Sequence, residues 1–327
     1  MSDSVIEDLL QRYPFVEGQF CIYSHRNCVL HDTGYAHPEK IARIESIWNG
    51  LLSYTPQLAV SFVEPKPANL NEMSLVHSSD YIKKLMSELG ASGSFMSNDN
   101  SVSENSLEAI QAAAGCAYAL GNKVYNGGKG FAIIRPPGHH AGKSHAEGFC
   151  FINNICLGAE AIRLKNSNAK IMIVDFDVHH GNGVNDIYLE DENIFYYSIH
   201  GAPASLYPGT GNDSEIGVGK GQGLTKNVPM PLQVHGQVWL DTFNENLFNC
   251  ADNFKPEYLL ISAGFDAHKD DPFGLMNVSD ENYFNAINSL MQVSKKYCNG
   301  SYGLFLEGGY SLEVLARLVP QIIEKLA

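Results

Sequence analysis

A chain of 327 residues with 44% hydrophobic content can bury one large core, and its length demands no second domain. Its 36 acidic residues against 22 lysines and arginines leave a net charge of −14, which repels a phosphate backbone, so no nucleic-acid partner is expected. The same acidity favours approach by cationic partners such as basic peptides or polyamines.

The seven cysteines form no CxxC pair and no dense framework, so reduced thiols in a cytoplasmic, intracellular setting are expected. No signal peptide is visible and no run approaches about 18 apolar residues, so no membrane partner is expected either. Residues 1–19 read as a short amphipathic leader and 20–327 as one domain. The first strand-like run is Phe20–Tyr23, and the polar stretch 91–106 reads as a long loop. Short apolar runs then alternate with helical patterns: Phe131–Ile134 then Asn153–Leu164, Ile171–Phe176 then Gly183–Leu189, Tyr258–Ser262 then Glu281–Lys295, Leu304–Leu306 then Leu312–Leu326. That alternation predicts a parallel sheet with helices on both faces. Ile171–Val174 and Leu259–Ile261 are almost wholly apolar, as in strands covered on both sides.

Polar clusters follow four of these runs: RPPGHH at 135–140, DFDVHHGNG at 175–183, GFDAH at 264–268 and EGGY at 307–310. The C-terminal edge of an open α/β sheet is where ligands bind, so four distant segments can converge on one pocket. Strand alternation places Asp175, Asp177 and His179 on one side, with Phe176 and Val178 on the other. Two of the three can offer a carboxylate oxygen and an imidazole nitrogen to a divalent ion, with the third bracing them. Asp266 adds a second carboxylate and leaves a coordination position for water. Helix caps or surface ion pairs would explain isolated acids, but three ionisable groups on one face of a strand end are costly unless their charge is compensated.

Beside such a site, His139 and His140 supply the acid/base that metal-assisted amide hydrolysis needs next to its water; alone they would read as turn histidines. Tyr310, after Gly308 and Gly309, presents a phenol to a developing oxyanion. Phe149 and Tyr207 each lie beside a turn and could wall a narrow apolar channel, although single aromatics more often belong to the core.

The segments RPPGHH, GFCFINN, DFDVHHGNG, YPGTG, SAGFDAH and EGGY, in this order over most of the chain from about Phe20 onward, closely resemble the histone deacetylase family. Asn182 in HHGNG, Glu307 in EGGY and the HDTGYAHPEKIARI segment at 31–44 look like class II members and the related bacterial deacetylase-like amidohydrolases. The resemblance implies the arginase/deacetylase fold, a single α/β domain with an eight-stranded, mainly parallel sheet flanked by helices. It also implies zinc-dependent hydrolysis of the acetyl amide of acetylated lysine, with an acetylpolyamine or other small acetylated amine as the alternative substrate.

Carried over position by position, Asp177, His179 and Asp266 match the family's zinc ligands, and Tyr310 matches the tyrosine that donates to the carbonyl oxygen. His140 matches the general base then acid, and His139 its electrostatic neighbour, oriented by Asp175. Asp175, with Asp177, His179 and Ser198, resembles the inner potassium site. Gly148 would accept the substrate amide N–H, Phe149 and Tyr207 would clasp its methylene chain, Arg43 would line the internal channel, and Asp99 would hold the substrate near its Cα. Asn182 stands where many class I members carry an aspartate, and a neutral amide raises the His140 pKa less. Phe273 occupies the rim position where the polyamine-selective relative has an acid.

Iron(II) also suits this N/O ligand set. A binuclear manganese ureohydrolase of the arginase type would need further carboxylates where Asn182 and the tandem histidines stand. A non-catalytic acetyl-lysine binder is disfavoured by the intact His139, His140, Tyr310 and three ligands. Oligomeric state is not legible in the sequence.

Overall fold

Each apolar run sends successive side chains to opposite sides of a pleat, so a sheet built from such runs needs a core on both faces. In the structure, a computed structural model that describes residues 2–89 and 99–327, eight runs become strands. They are β1 (Phe20–Tyr23), β2 (Val60–Val63), β3 (Lys129–Ala132), β4 (Ile171–Asp175), β5 (Ile194–Gly201), β6 (Thr225–Met230), β7 (Tyr258–Ala263) and β8 (Tyr302–Leu306). Their order is β2-β1-β3-β8-β7-β4-β5-β6, and every neighbouring pair is parallel.

Alternation divides the two cores cleanly. Met172 and Val174 of β4 join one cluster, with Phe20 and Ile22 of β1. Ile171 and Ile173 join the other, with Cys21 and Tyr23. The first cluster is covered by α1 (Ser2–Arg12), α2 (Ala42–Ser53), α8 (Gly236–Phe254), α9 (Asp280–Tyr297) and α10 (Leu312–Leu326), through residues such as Ile6, Trp48, Trp239, Tyr283 and Leu315. The second is covered by α4 (Ser79–Leu89), α5 (Ser106–Tyr125) and α6 (Asn154–Arg163), through Leu85, Leu120 and Ile155. The short helices α3 (Leu70–Met73) and α7 (Asn182–Ile187) complete the chain.

The N-terminal segment expected as a leader docks on the common core. Ile6, Leu9 and Tyr13 are fully buried, and the Tyr13 hydroxyl donates to the Leu51 carbonyl at 2.8 Å. Three strands, β2, β5 and β6, were not among the runs singled out from hydrophobic pattern. β6 carries Pro229, which cannot donate to a ladder; it is tolerated because β6 is an edge strand. Of the expected loop at 91–106, residues 91–98 lie outside the described residues.

Parallel pairing puts every strand's C-terminal end at the same edge. The four strands that precede the polar clusters, β3, β8, β7 and β4, are consecutive in the sheet, so the clusters emerge side by side.

Candidate active site

β4 ends at Asp175, so Asp177 and His179 lie on the following loop and strand pleating alone does not align them. Two successive side-chain turns do so instead: the Asp177 N–H donates to Asp175 Oδ1 at 3.1 Å, and the His179 N–H donates to Asp177 Oδ1 at 2.9 Å. Phe176 and Val178 drop into the core below. Asp266, after β7, accepts from the Val178 N–H at 2.9 Å through Oδ1, which aims Oδ2 at the His179 ring, 3.2 Å from Nδ1. Asp177 Oδ1 lies 3.1 Å from the same nitrogen.

Asp177, His179 and Asp266 thus bring one ligand atom each within 4.8 Å of one another, a set able to hold a metal ion. The buried Asp266 Oδ2 makes no hydrogen bond. Burial, then the neighbouring Asp177 carboxylate, pushes Asp266 up to about 7. Burial opposes charge on His179 as well, yet the two carboxylates prevail and raise it to about 10. Such a site calls for positive charge, and an orphaned carboxylate oxygen beside an imidazole fits a divalent cation. Gly308 closes it from β8: its N–H donates to Asp177 Oδ2 at 2.7 Å, and a Cβ there would meet Asp266 Oδ2 at 2.1 Å.

His139 and His140 follow β3, their rings 4.0 Å apart between centroids. His139 Nδ1 pairs with Asp175 Oδ2 at 3.0 Å; burial works against its charge, but Asp175 and Asp177 outweigh it and raise His139 to about 10. Burial and then the charges of His139 and His179 drive His140 well below its ordinary value. The two adjacent imidazoles are thereby shifted in opposite directions, the divergence that lets neighbouring groups take different protonation states. His140 Nδ1 lies 2.7 Å from Asn182 Oδ1.

The predicted aromatics Phe149 and Tyr207 line one pocket with the histidines. Glu147 and Cys150 exchange backbone hydrogen bonds at 3.1 and 2.9 Å around a tight turn whose central residues, Gly148 (φ 57) and Phe149 (φ 67), both have left-handed backbone. A side chain on Gly148 would collide with the His140 ring, and Phe149 holds a conformation that is uncommon for a bulky residue. The turn is secured by Asp99, whose Oδ2 accepts from the Gly148 N–H at 2.9 Å, and by Asn100, which accepts from the Phe149 N–H at 3.1 Å. Tyr207 stands edge-on to His140 at 5.1 Å, and Phe273 edge-on to Tyr310 at 5.0 Å. Asp99, Phe149, Tyr207, Phe273 and Tyr310 border, with the histidines, a pocket of about 210 Å³. That is smaller than the roughly 300–1,000 Å³ of a drug-sized site and suits a slim chain.

Of the remaining expected residues, Ser198 on β5 is fully buried and in register with Asp175, its hydroxyl 2.8 Å from His200 Nδ1. Arg43 is buried behind Tyr310, its guanidinium 5.0 Å from the ring centre, and it donates to the Gly309 and Glu307 carbonyls, both at 2.6 Å.

Five residues with a place in this architecture were assigned no role from sequence. Glu307 Oε2 accepts from the Gly138 N–H at 2.8 Å and the His139 N–H at 3.1 Å. Glu39 Oε1 receives both Arg43 and Arg135, at 2.9 and 2.8 Å; burial would raise this carboxyl, but Arg135 and Arg43 hold it near 2. Asp271 accepts from the Tyr310 and Ser311 N–H groups at 2.7 and 3.2 Å. His77 spans the Gly142 carbonyl and the Asn153 N–H at 2.9 Å each. Glu307, Glu39, Arg135 and Asp271 lie in or beside the recognised motifs, which was the available signal; His77 had none.

The histone deacetylase domain family matches residues 37–326. Similar proteins include "Histone deacetylase 14, chloroplastic" of Arabidopsis thaliana, 36% identical over 303 residues that cover 87% of this chain and 71% of that protein. A "Probable deacetylase" of Archaeoglobus fulgidus is 32% identical over 296 residues, covering 89% and 81%. Among solved structures, the HDA15 HD domain superposes with a TM-score of 0.88 at 30% identity, over 95% of this chain and 88% of that one. The acetylpolyamine aminohydrolase of Burkholderia pseudomallei superposes with a TM-score of 0.82 at 24% identity, over 94% and 98%, a likeness of fold alone.

Proposed function

Because the chain belongs to the histone deacetylase family, deacetylases that hydrolyse amides, we propose that its substrate is an acetylated lysine side chain, released as free lysine and acetate. The observation that carries this reading is the slim pocket between Phe149 and Tyr207, rimmed by apolar Phe273 and leading to His140, His179 and Tyr310.

Asp177, His179 and Asp266 would hold one zinc ion, whose chemistry when bound is to polarise the acetyl carbonyl and acidify a water. Buried Asp175, with Ser198, would hold potassium, a charge that offsets the cost of burying that carboxylate. His140, kept neutral, accepts the proton of the attacking water at Nε2 and returns it from the same atom to the departing amine. Tyr310 donates its hydroxyl to the oxyanion that forms, while Asp271 and Arg43 hold the Tyr310 backbone and ring in place. The charged His139 adds electrostatic stabilisation. Phe149 and Tyr207 clasp the methylene stem, the Gly148 carbonyl accepts the substrate amide N–H, and Asp99 at the mouth accepts from the peptide backbone.

A cytoplasmic setting is supported by the seven cysteines, none in a disulfide. Among the described residues no helix is long and apolar enough to cross a membrane. The second reading, an acetylpolyamine substrate, is favoured by the Asp99 carboxylate in the pocket lining. Values of kcat/KM on acetyl-lysine peptides, acetylspermidine and acetylputrescine decide between them, because that ratio reports differential transition-state binding. Peptides are expected to be the better substrates; acetylpolyamines turned over more efficiently than every peptide would overturn the choice.

A further inference from the structure

We propose that Glu147 is a positioning residue that fixes the orientation of the Asn182 amide and, through it, the tautomer of His140. An asparagine can present either its oxygen or its NH2 to a neighbour by rotating half a turn. Facing the oxygen, His140 carries its hydrogen on Nδ1 and leaves Nε2 basic. Facing the NH2, it must accept at Nδ1 and carry the hydrogen on Nε2, where it can no longer take a proton from water.

What decides is the other end of the amide. Asn182 Nδ2 lies 3.0 Å from Glu147 Oε2, and an ionised carboxylate can only accept. The flipped amide would set two oxygens against each other there, and its NH2 would face the Nδ1–H of the productive tautomer. The hydrogen-bonded series Glu147–Asn182–His140 therefore has one satisfied orientation.

Glu147 is well placed to impose it. Its backbone is pinned to Cys150 as the first residue of the turn that carries Gly148 and Phe149, so the carboxylate is tethered beside the channel wall. Asn182 opens α7 and is 8% exposed, which limits competition from water. His145 Nε2 approaches Glu147 Oε2 from the solvent side at 3.4 Å. An aspartate at position 182 would need no such device, because its two oxygens are equivalent. Glu147 supplies the directionality that a neutral amide lacks.

The inference rests on the deacetylase reading in giving His140 the proton, but the tautomer is measurable without turnover. The test compares Glu147→Met and Glu147→Gln with Asn182→Asp and the double variant Asn182→Asp/Glu147→Met, all loaded with zinc. Glu147→Met is expected to lower kcat about tenfold with KM changed less than about twofold, the scale of one lost charge-assisted hydrogen bond. Glu147→Gln, which keeps an acceptor, recovers most of that rate. In the Asn182→Asp background the sign reverses: Glu147→Met raises kcat, because it removes one of two apposed carboxylates. Nitrogen-15 NMR of the imidazoles reads the Nδ1–H tautomer of His140 in the parent and a mixture in Glu147→Met. An equal loss in both backgrounds, an undiminished kcat, or an unchanged His140 tautomer in Glu147→Met overturns the proposal. If no acetylated substrate is turned over, the deacetylase reading fails while the NMR comparison still decides this one.

Discussion

Glu307 Oε2 lies 3.1 Å from the His139 amide nitrogen, tying the end of β8 to the turn after β3 across 168 positions of sequence. The same oxygen accepts from Gly138, and burial pushes this carboxyl up to about 7 even though His139 opposes the rise. Glu307→Ala would strand two buried N–H groups, each worth about 1–3 kcal/mol, so a stability loss of a few kcal/mol is expected together with a fall in kcat. Glu307→Gln keeps an acceptor and should lose less of both. Urea unfolding checks this, and a parental midpoint for Glu307→Ala would refute the bracing role.

Tyr310 is held by Asp271 through its backbone and by Arg43 against its ring, so removing only the hydroxyl should leave the ring in place. Tyr310→Phe is expected to lower kcat by about 10²–10³, the usual cost of one oxyanion donor. Unchanged turnover on an acetyl-lysine peptide would remove Tyr310 from that role.

The carboxylate pair of Asp177 and Asp266 around His179 predicts that a chelator abolishes activity and lowers the melting temperature, and that zinc restores both. Asp266→Asn should weaken zinc retention as measured by metal analysis after dialysis. Full activity in rigorously metal-free protein would sink the assignment.

His77 is buried and neutral, one nitrogen donating to the Gly142 carbonyl and the other accepting from Asn153, so burial lowers its pKa from 6.5 to about 4. Its stabilising contribution is complete above the unfolded value. As pH falls through 6.5, the unfolded chain takes a proton that the folded chain refuses, and stability drops until about pH 4. The contribution of His77 to that loss is about 3 kcal/mol, and His31, likewise lowered to about 4 by burial and by Arg135, adds in the same direction. His77→Gln should flatten the dependence of the urea midpoint on pH by about one proton between pH 6 and 5. An identical slope in variant and parent would exclude His77 as a contributor.

Phe273 stands at the rim, half exposed, with its ring against Tyr310. Phe273→Glu supplies a carboxylate to offset the desolvation of a polyamine cation, so kcat/KM for acetylspermidine should rise relative to an acetyl-lysine peptide. A ratio that is unmoved, or that shifts toward the peptide, would show that the rim does not select by charge.

Much of the site was legible because its residues sit in contiguous strand ends. A buried run such as Ile171–Val174 followed by Asp175, Asp177 and His179 announces both a covered strand and a charge that needs a partner. The family motifs extended this to Tyr310, Phe149 and Tyr207. The periodic signal failed where strands were short, as in β2, or interrupted by polar residues and Pro229, as in β5 and β6. It also suggested a strand beyond Asp175, whereas side-chain turns perform that alignment.

What the sequence determined by itself is therefore the inventory of reactive groups and the strand each follows, since both are recorded in neighbouring residues. Only the tertiary structure decided which groups share hydrogen bonds: Glu307 with His139, Glu39 with Arg43 and Arg135, Glu147 with Asn182. Those pairings follow from the order β3-β8-β7-β4 and from loop paths above the sheet, and a hydrogen bond depends on distances of about 3 Å that residue order along a chain does not encode.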